Sequence, residues 1–223
     1  MVNSVRVVPA ILTDASKTLE TMLRQSETFT DYVQIDIMDG KFVPSHSITW
    51  EHMASVPTKL GWEAHLMVEH PEEHLEGFKK AGARRIIFHF EATPAPEKVI
   101  LSARKLDLRV GLALNPETLI SSILCLVAKI DCVLFLSVNP GFYGAKFIPE
   151  VLAKIVEFRR VCPGVESGID GGIKENNIEQ IAQTGVDNIC VGSAVFSQPD
   201  PGQSYRRLLS LAQKGRQKLK SAR

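Results

Sequence analysis

Eight short apolar runs, each followed by a stretch with helical spacing, set the rhythm of this chain. The runs fall at residues 6–12, 32–37, 63–68, 85–90, 109–114, 132–138, 165–169 and 188–191. Each is short enough for a buried strand and is closed by glycine, proline, asparagine or aspartate. Between them the spacing predicts helices over 15–26, 50–56 (weak), 71–81, 96–106, 118–127, 149–161 and 175–184, and a last one from about 201 into the basic tail. Thr13 and Asp14 suit a helix cap, and Pro71 and Pro96 suit a first helical turn. Gly82 and Gly185 each end a helix and feed the next strand.

Strands alternating with helices eight times predict a closed parallel barrel ringed by helices, a (β/α)8 TIM barrel, as one domain over 1–223. A chain of 223 residues, 44% hydrophobic, is long enough to fill such a core. The formal net charge of +1 gives no general attraction to nucleic acid or membrane. No apolar run reaches the ~20 residues that cross a bilayer. The basic residues 214–223 read as a solvated terminal helix. Cys125, Cys132, Cys162 and Cys190 show no paired spacing and read as small hydrophobes in a reducing compartment. The first strand begins almost at once, which leaves no room for a leader. We therefore expect a cytoplasmic protein.

In barrels of this kind chemistry sits at the carboxyl ends of the strands. The second strand carries Gln34, Asp36 and Met38 on one face and Ile35 and Ile37 on the other. A carboxylate inside an apolar run is costly unless something pairs with it. Asp170 ends the seventh strand, which we expect to face the second across the barrel. Two acids on either side of a substrate suit removal of a proton from one face and its return to the other. Asp170 also suits a simple turn cap before two glycines. The third strand offers His65; it reads either as a core histidine or, with two aspartates on the same rim, as a ligand of a divalent metal. Met38 and Met67 line a substrate or merely fill the core. Glycine segments after strands six, seven and eight (Gly141, Phe142, Tyr143 and Gly144; Gly171 and Gly172; Gly192 and Ser193) suit a phosphate cradle. His46, His52, His70, His74 and His89 show no ligand spacing and read as surface or supporting residues.

The segments Asp-Ile-Met-Asp-Gly-Lys-Phe-Val-Pro (36–44), His-Leu-Met-Val (65–68), Ser-Val-Asn-Pro-Gly-Phe (137–142), Asp-Gly-Gly (170–172) and Gly-Ser-Ala-Val-Phe (192–196) resemble the ribulose-phosphate 3-epimerases, nearly end to end and in order. The resemblance implies a phosphate-binding barrel that interconverts ribulose 5-phosphate and xylulose 5-phosphate through an enediolate. It implies Asp36 and Asp170 as the acid/base pair, and Asp36, His65 and Asp170 as three of four ligands of a divalent cation (Zn, Fe, Mn or Co). Met38 and Met67 match methionines that bracket the intermediate. Gln34 stands where the family has a histidine ligand, Ala10 where it has a serine, Leu136 where it has a methionine, and Tyr143 where it has a phosphate-loop glycine.

The resulting expectation is an isomerase of a small sugar phosphate, a homo-oligomer with no nucleic-acid or membrane partner. Two rival readings are a phosphosugar-binding barrel with weakened catalysis and an epimerase of a hexulose 6-phosphate. Sister barrels that decarboxylate or condense sugar phosphates use a lysine two residues after the strand-two aspartate; Met38 occupies that place here.

Overall fold

The computed structural model describes residues 4–141 and 146–221. Eight parallel strands close on themselves in chain order. They are β1 (Arg6–Ile11), β2 (Tyr32–Met38), β3 (Gly61–Met67), β4 (Arg85–His89), β5 (Arg109–Leu114), β6 (Cys132–Leu136), β7 (Glu166–Asp170) and β8 (Asn188–Val191). The helices are α1 (Ser16–Ser26), α2 (Trp50–Ser55), α3 (Leu75–Lys80), α4 (Pro96–Lys105), α5 (Val151–Val161), α6 (Ile178–Gln183), α7 (Ser193–Phe196) and α8 (Pro201–Ser221). Outward strand residues such as Ile35, Leu66, Phe88, Phe135 and Ile169 pack against the helices in one continuous apolar layer. A smaller apolar set inside the barrel holds Val8, Ile87, Leu134 and Leu136.

The expected helix over 118–127 does not form. Two 3₁₀ turns, Ile120–Ile123 and Val127–Lys129, stand in its place. Ile120, Ile123 and Leu126 are buried, whereas Leu119 and Leu124 are exposed. Burial every third residue is the 3₁₀ repeat, not the α repeat. The expected helix over 71–81 is likewise split, into a 3₁₀ turn at Pro71–Glu73 and α3. Cys125 is exposed and Cys162 half-buried, so only Cys132 and Cys190 are buried hydrophobes; all four are free. The short α7 after β8 was not foreseen.

The inward residues form layers. The cross-strand pairs Gln34–Glu63, Asp36–His65 and Met38–Met67 set the heights. At the amino-terminal end, Arg85 is buried between Glu63 (2.5 Å) and Glu166 (2.5 Å). Tyr32 donates to Glu63, and Asn188 to Glu166. This ionic plug closes the floor of the barrel, which frees the other rim for chemistry.

The long α8 crosses α6 at Gly215, where an added Cβ would collide with the Glu179 carbonyl and approach Ala182 Cβ to 3.0 Å. Gly215→Ala is expected to destabilise by about 1–3 kcal/mol, read as a lowered urea midpoint with unchanged slope.

Candidate active site

The strands β7, β8, β1 and β2 are consecutive neighbours, so Asp170 and Asp36 are separated by two strands and are not diametrically opposed as expected. Their carboxylates nevertheless converge, because both side chains point inward at one height. Ligand atoms of Asp36, His65 and Asp170 all lie within 4.8 Å of one another. The group opens into a cavity of about 490 Å³, lined also by Ala10, Met38, Met67, Leu136 and Cys190. That size falls within the range of small-molecule sites.

Gln34 sits at the centre, fully buried. Its amide Nε2–H₂ donates to Asp36 Oδ1 (2.9 Å) and to Asp170 Oδ2 (2.7 Å). Its Oε1 accepts from the Cys190 thiol (3.2 Å). His65 Nδ1 lies 3.0 Å from Asp36 Oδ1 and 3.8 Å from Asp170 Oδ2. Burial, reinforced by the Asp36 charge, pushes the Asp170 carboxyl up to about 7. Burial works against a charge on His65, but Asp36 and Asp170 outweigh it and raise its pKa.

Behind His65 lies one of the histidines read from sequence as surface or supporting, and it is a supporting one. His89, which ends β4, is fully buried, with Nε2 3.0 Å from His65 Nε2. Burial lowers its pKa to about 4, which keeps it neutral. Its Nδ1 faces Glu91 Oε2 at 3.5 Å, and Phe42 covers its ring at 4.8 Å between centroids. A proton on His89 Nδ1, toward Glu91, leaves His89 Nε2 to accept from His65 Nε2–H and turns His65 Nδ1 into the site. His46 and His70 are on the surface, as expected.

The loop after β2 is built to hold its shape. Asp39 Oδ1 accepts from the Lys41 and Phe42 amides, and Oδ2 from the Glu69 amide (2.8 Å). Ser47 Oγ donates to the Asp36 carbonyl and accepts from the Met38 amide. Ser45 Oγ donates to the Gly141 carbonyl (2.7 Å), tying this loop to the one after β6. Met38, Val43 and Met67 form a small apolar cluster on the rim.

Of the expected phosphate residues, Gly141, Gly171, Gly172, Gly192 and Ser193 all line the cavity. Phe142, Tyr143 and Gly144 lie outside the described residues. Gly171 and Gly172 have positive φ (106° and 65°), and a Cβ on Gly171 would meet Val138 at 2.5 Å. Such backbone is open to glycine and strained for other residues. Lys174, Thr18, Thr21 and Gln25 also line the cavity, and their own sequence context gave no signal.

The donor set of two carboxylates and one imidazole fits a divalent cation of the harder or borderline kind. The Gln34 amide, as it stands, presents protons to that position and not an oxygen.

A family model described as the ribulose-phosphate 3 epimerase family matches residues 6–196. A ribulose-phosphate 3-epimerase of Synechocystis sp. is 37% identical over 211 residues, covering 90% of this chain and 91% of that protein. Its counterpart in Aquifex aeolicus is 37% identical over 187 residues, covering 81% of this chain and 84% of that protein. Among solved structures, a 3-hexulose-6-phosphate synthase from Salmonella typhimurium matches with a TM-score of 0.72 at 14% identity, over 94% of this chain and 99% of that one. KGPDC from Streptococcus mutans matches with a TM-score of 0.75 at 12% identity, over 95% and 99%. At such identities these two structures speak for the barrel alone.

Proposed function

The chain belongs to the ribulose-phosphate 3-epimerase family, and on that premise we propose that it inverts C3 of ribulose 5-phosphate to give xylulose 5-phosphate. Asp36 and Asp170 are the acid/base pair of this reading. The observation that carries it is the convergence of two carboxylates on one cavity, with Asp170 raised to about 7. Inversion through proton transfer needs one acid that starts ionised and one that starts protonated. One aspartate takes the C3 proton, an enediolate forms, and the other aspartate returns a proton to the opposite face. Met38 and Met67 wall the cavity and keep water from the carbanionic centre. In the absence of a cation, His65, oriented through His89, adds positive charge beside the developing oxyanion.

Asp36, His65 and Asp170 are the residues that would hold a divalent cation, with Gln34 as a fourth donor only if its oxygen faces inward. Such a cation, when bound, supplies charge stabilisation to the enediolate oxygens. Gly141, Gly171, Gly172, Gly192 and Ser193 form the phosphate end, with Lys174 beside them. Gly172→Ala is expected to raise KM for the phosphorylated substrate about tenfold with kcat changed less, because the added Cβ would lie 3.0 Å from the Phe147 backbone and shift the cradle. Steady-state kinetics checks this.

Gln34 also favours a second reading, a phosphosugar-binding barrel with weakened catalysis. A coupled epimerase assay, with divalent cations added back to chelated protein, separates the two. Turnover supports the first. Sugar-phosphate binding without turnover under any cation supports the second.

A further inference from the structure

Gln34 holds two acids together with one amide group. Asp36 Oδ1 and Asp170 Oδ2 are the two oxygens nearest His65 Nδ1, and they are also the two that accept from Gln34 Nε2. A divalent cation bound by both would sit roughly 2.0–2.2 Å from each. The amide protons point along those same lone pairs. Amide and cation therefore compete for one place, and the site cannot satisfy both in this arrangement.

The other end of the amide shows how the competition is resolved. Gln34 Oε1 accepts from the Cys190 thiol, which lies on β8, one strand beyond β1, and is buried. A thiol is both a weak donor and a weak acceptor. Turning the amide over by half a turn puts Oε1 between the carboxylates and Nε2–H₂ against Cys190 Sγ. Cys190 then accepts where it previously donated. The turned amide is unfavourable beside two bare carboxylates, because oxygen then faces oxygen. It becomes favourable once a cation stands between them. Each orientation thus has a partner at both ends of the amide and its own occupant between the acids.

We propose that Gln34 is a two-position amide: without a cation its Nε2–H₂ bridges Asp36 to Asp170, and a divalent cation enters only when the amide turns and offers Oε1 as the fourth ligand. The acid pair is therefore held in place without metal, and this chain binds a cation more weakly than the same barrel with a ligand fixed at position 34. The relevance of this to turnover rests on the proposed function; the binding behaviour does not.

The test needs no substrate. Mn²⁺ affinity is measured by electron paramagnetic resonance on chelator-stripped wild type, Gln34→Glu and Gln34→His, and thermal midpoints are recorded for each with and without Mn²⁺. Gln34→Glu is nearly isosteric, offers only oxygen and has no bridging protons. It is expected to bind Mn²⁺ at least tenfold more tightly than wild type and to melt below wild type when stripped. Gln34→His presents an imidazole donor and is expected to bind at least tenfold more tightly too. The wild-type midpoint is expected to change little on stripping. Wild type that binds Mn²⁺ as tightly as Gln34→Glu overturns the proposal. So does stripped Gln34→Glu that is as stable as stripped wild type. A failed epimerase assay beside the expected binding pattern would refute the proposed function and leave the amide switch standing.

Discussion

Asp36→Asn and Asp170→Asn are each expected to lower kcat for inversion at C3 by about 10²–10⁴-fold, the usual worth of a positioned acid or base. Asparagine keeps the shape and much of the hydrogen bonding, so both variants are expected to fold with thermal midpoints close to wild type. The sharper expectation concerns exchange. If each acid serves one face, the remaining aspartate can still take a proton from one epimer and put it back on the same side. Each variant should then exchange C3 hydrogen with solvent for one epimer only, and the two variants should prefer opposite epimers. Proton NMR in deuterated buffer, with each pentulose phosphate in turn, reads both results. Equal exchange of both epimers by either variant would contradict the division of labour.

Arg85→Met loses about 3–5 kcal/mol of stability, the cost of stranding buried charge when one partner is removed. Arg85 is buried between Glu63 and Glu166 at the closed end of the barrel, and Glu63 is itself buried. The guanidinium also lies beside Cys132 and stays charged, its pKa raised despite burial by the surrounding negative groups. Without it two carboxylates face each other across the floor, Glu63 keeping the Tyr32 hydroxyl and Glu166 keeping Asn188 and the more distant Arg109. For a chain of this length the thermal midpoint should fall by about 10 °C. Replacing the whole cluster, Glu63 and Glu166 included, with apolar residues of similar volume should recover most of that loss. Denaturant midpoints of the single and triple variants check the pair of expectations.

The rim of the barrel was legible because strand alternation is strict. Gln34, Asp36 and Met38 share a face by period alone, and the cross-strand pairing of Asp36 with His65 and Met38 with Met67 follows once the strands are adjacent. The glycines at 141, 171, 172 and 192 were legible because tight strand-to-helix turns leave a chemical mark. His89 was not, since its role comes from a neighbour 24 residues away and not from any spacing of its own. The floor cluster was hidden for a related reason. Glu63, Arg85 and Glu166 each lie at or near the start of a strand, where a charged residue reads as an exposed entry point, and only closure of the barrel points all three inward. The stretch 118–127 misled because its apolar residues recur at both three and four positions, and tertiary packing selected the threefold spacing. The separation of Asp36 and Asp170 was misjudged around the ring but not in outcome, because inward side chains at one height meet near the axis whichever strands carry them.

Inversion by two acids, each serving one face of C3, is tested most directly by running the reaction in deuterium oxide and stopping it early. Xylulose 5-phosphate formed from protiated ribulose 5-phosphate should carry deuterium at C3, while the recovered ribulose 5-phosphate remains protiated. Product that keeps its original C3 proton would mean that a single group carries the proton from one face to the other, and would remove the need for a second aspartate.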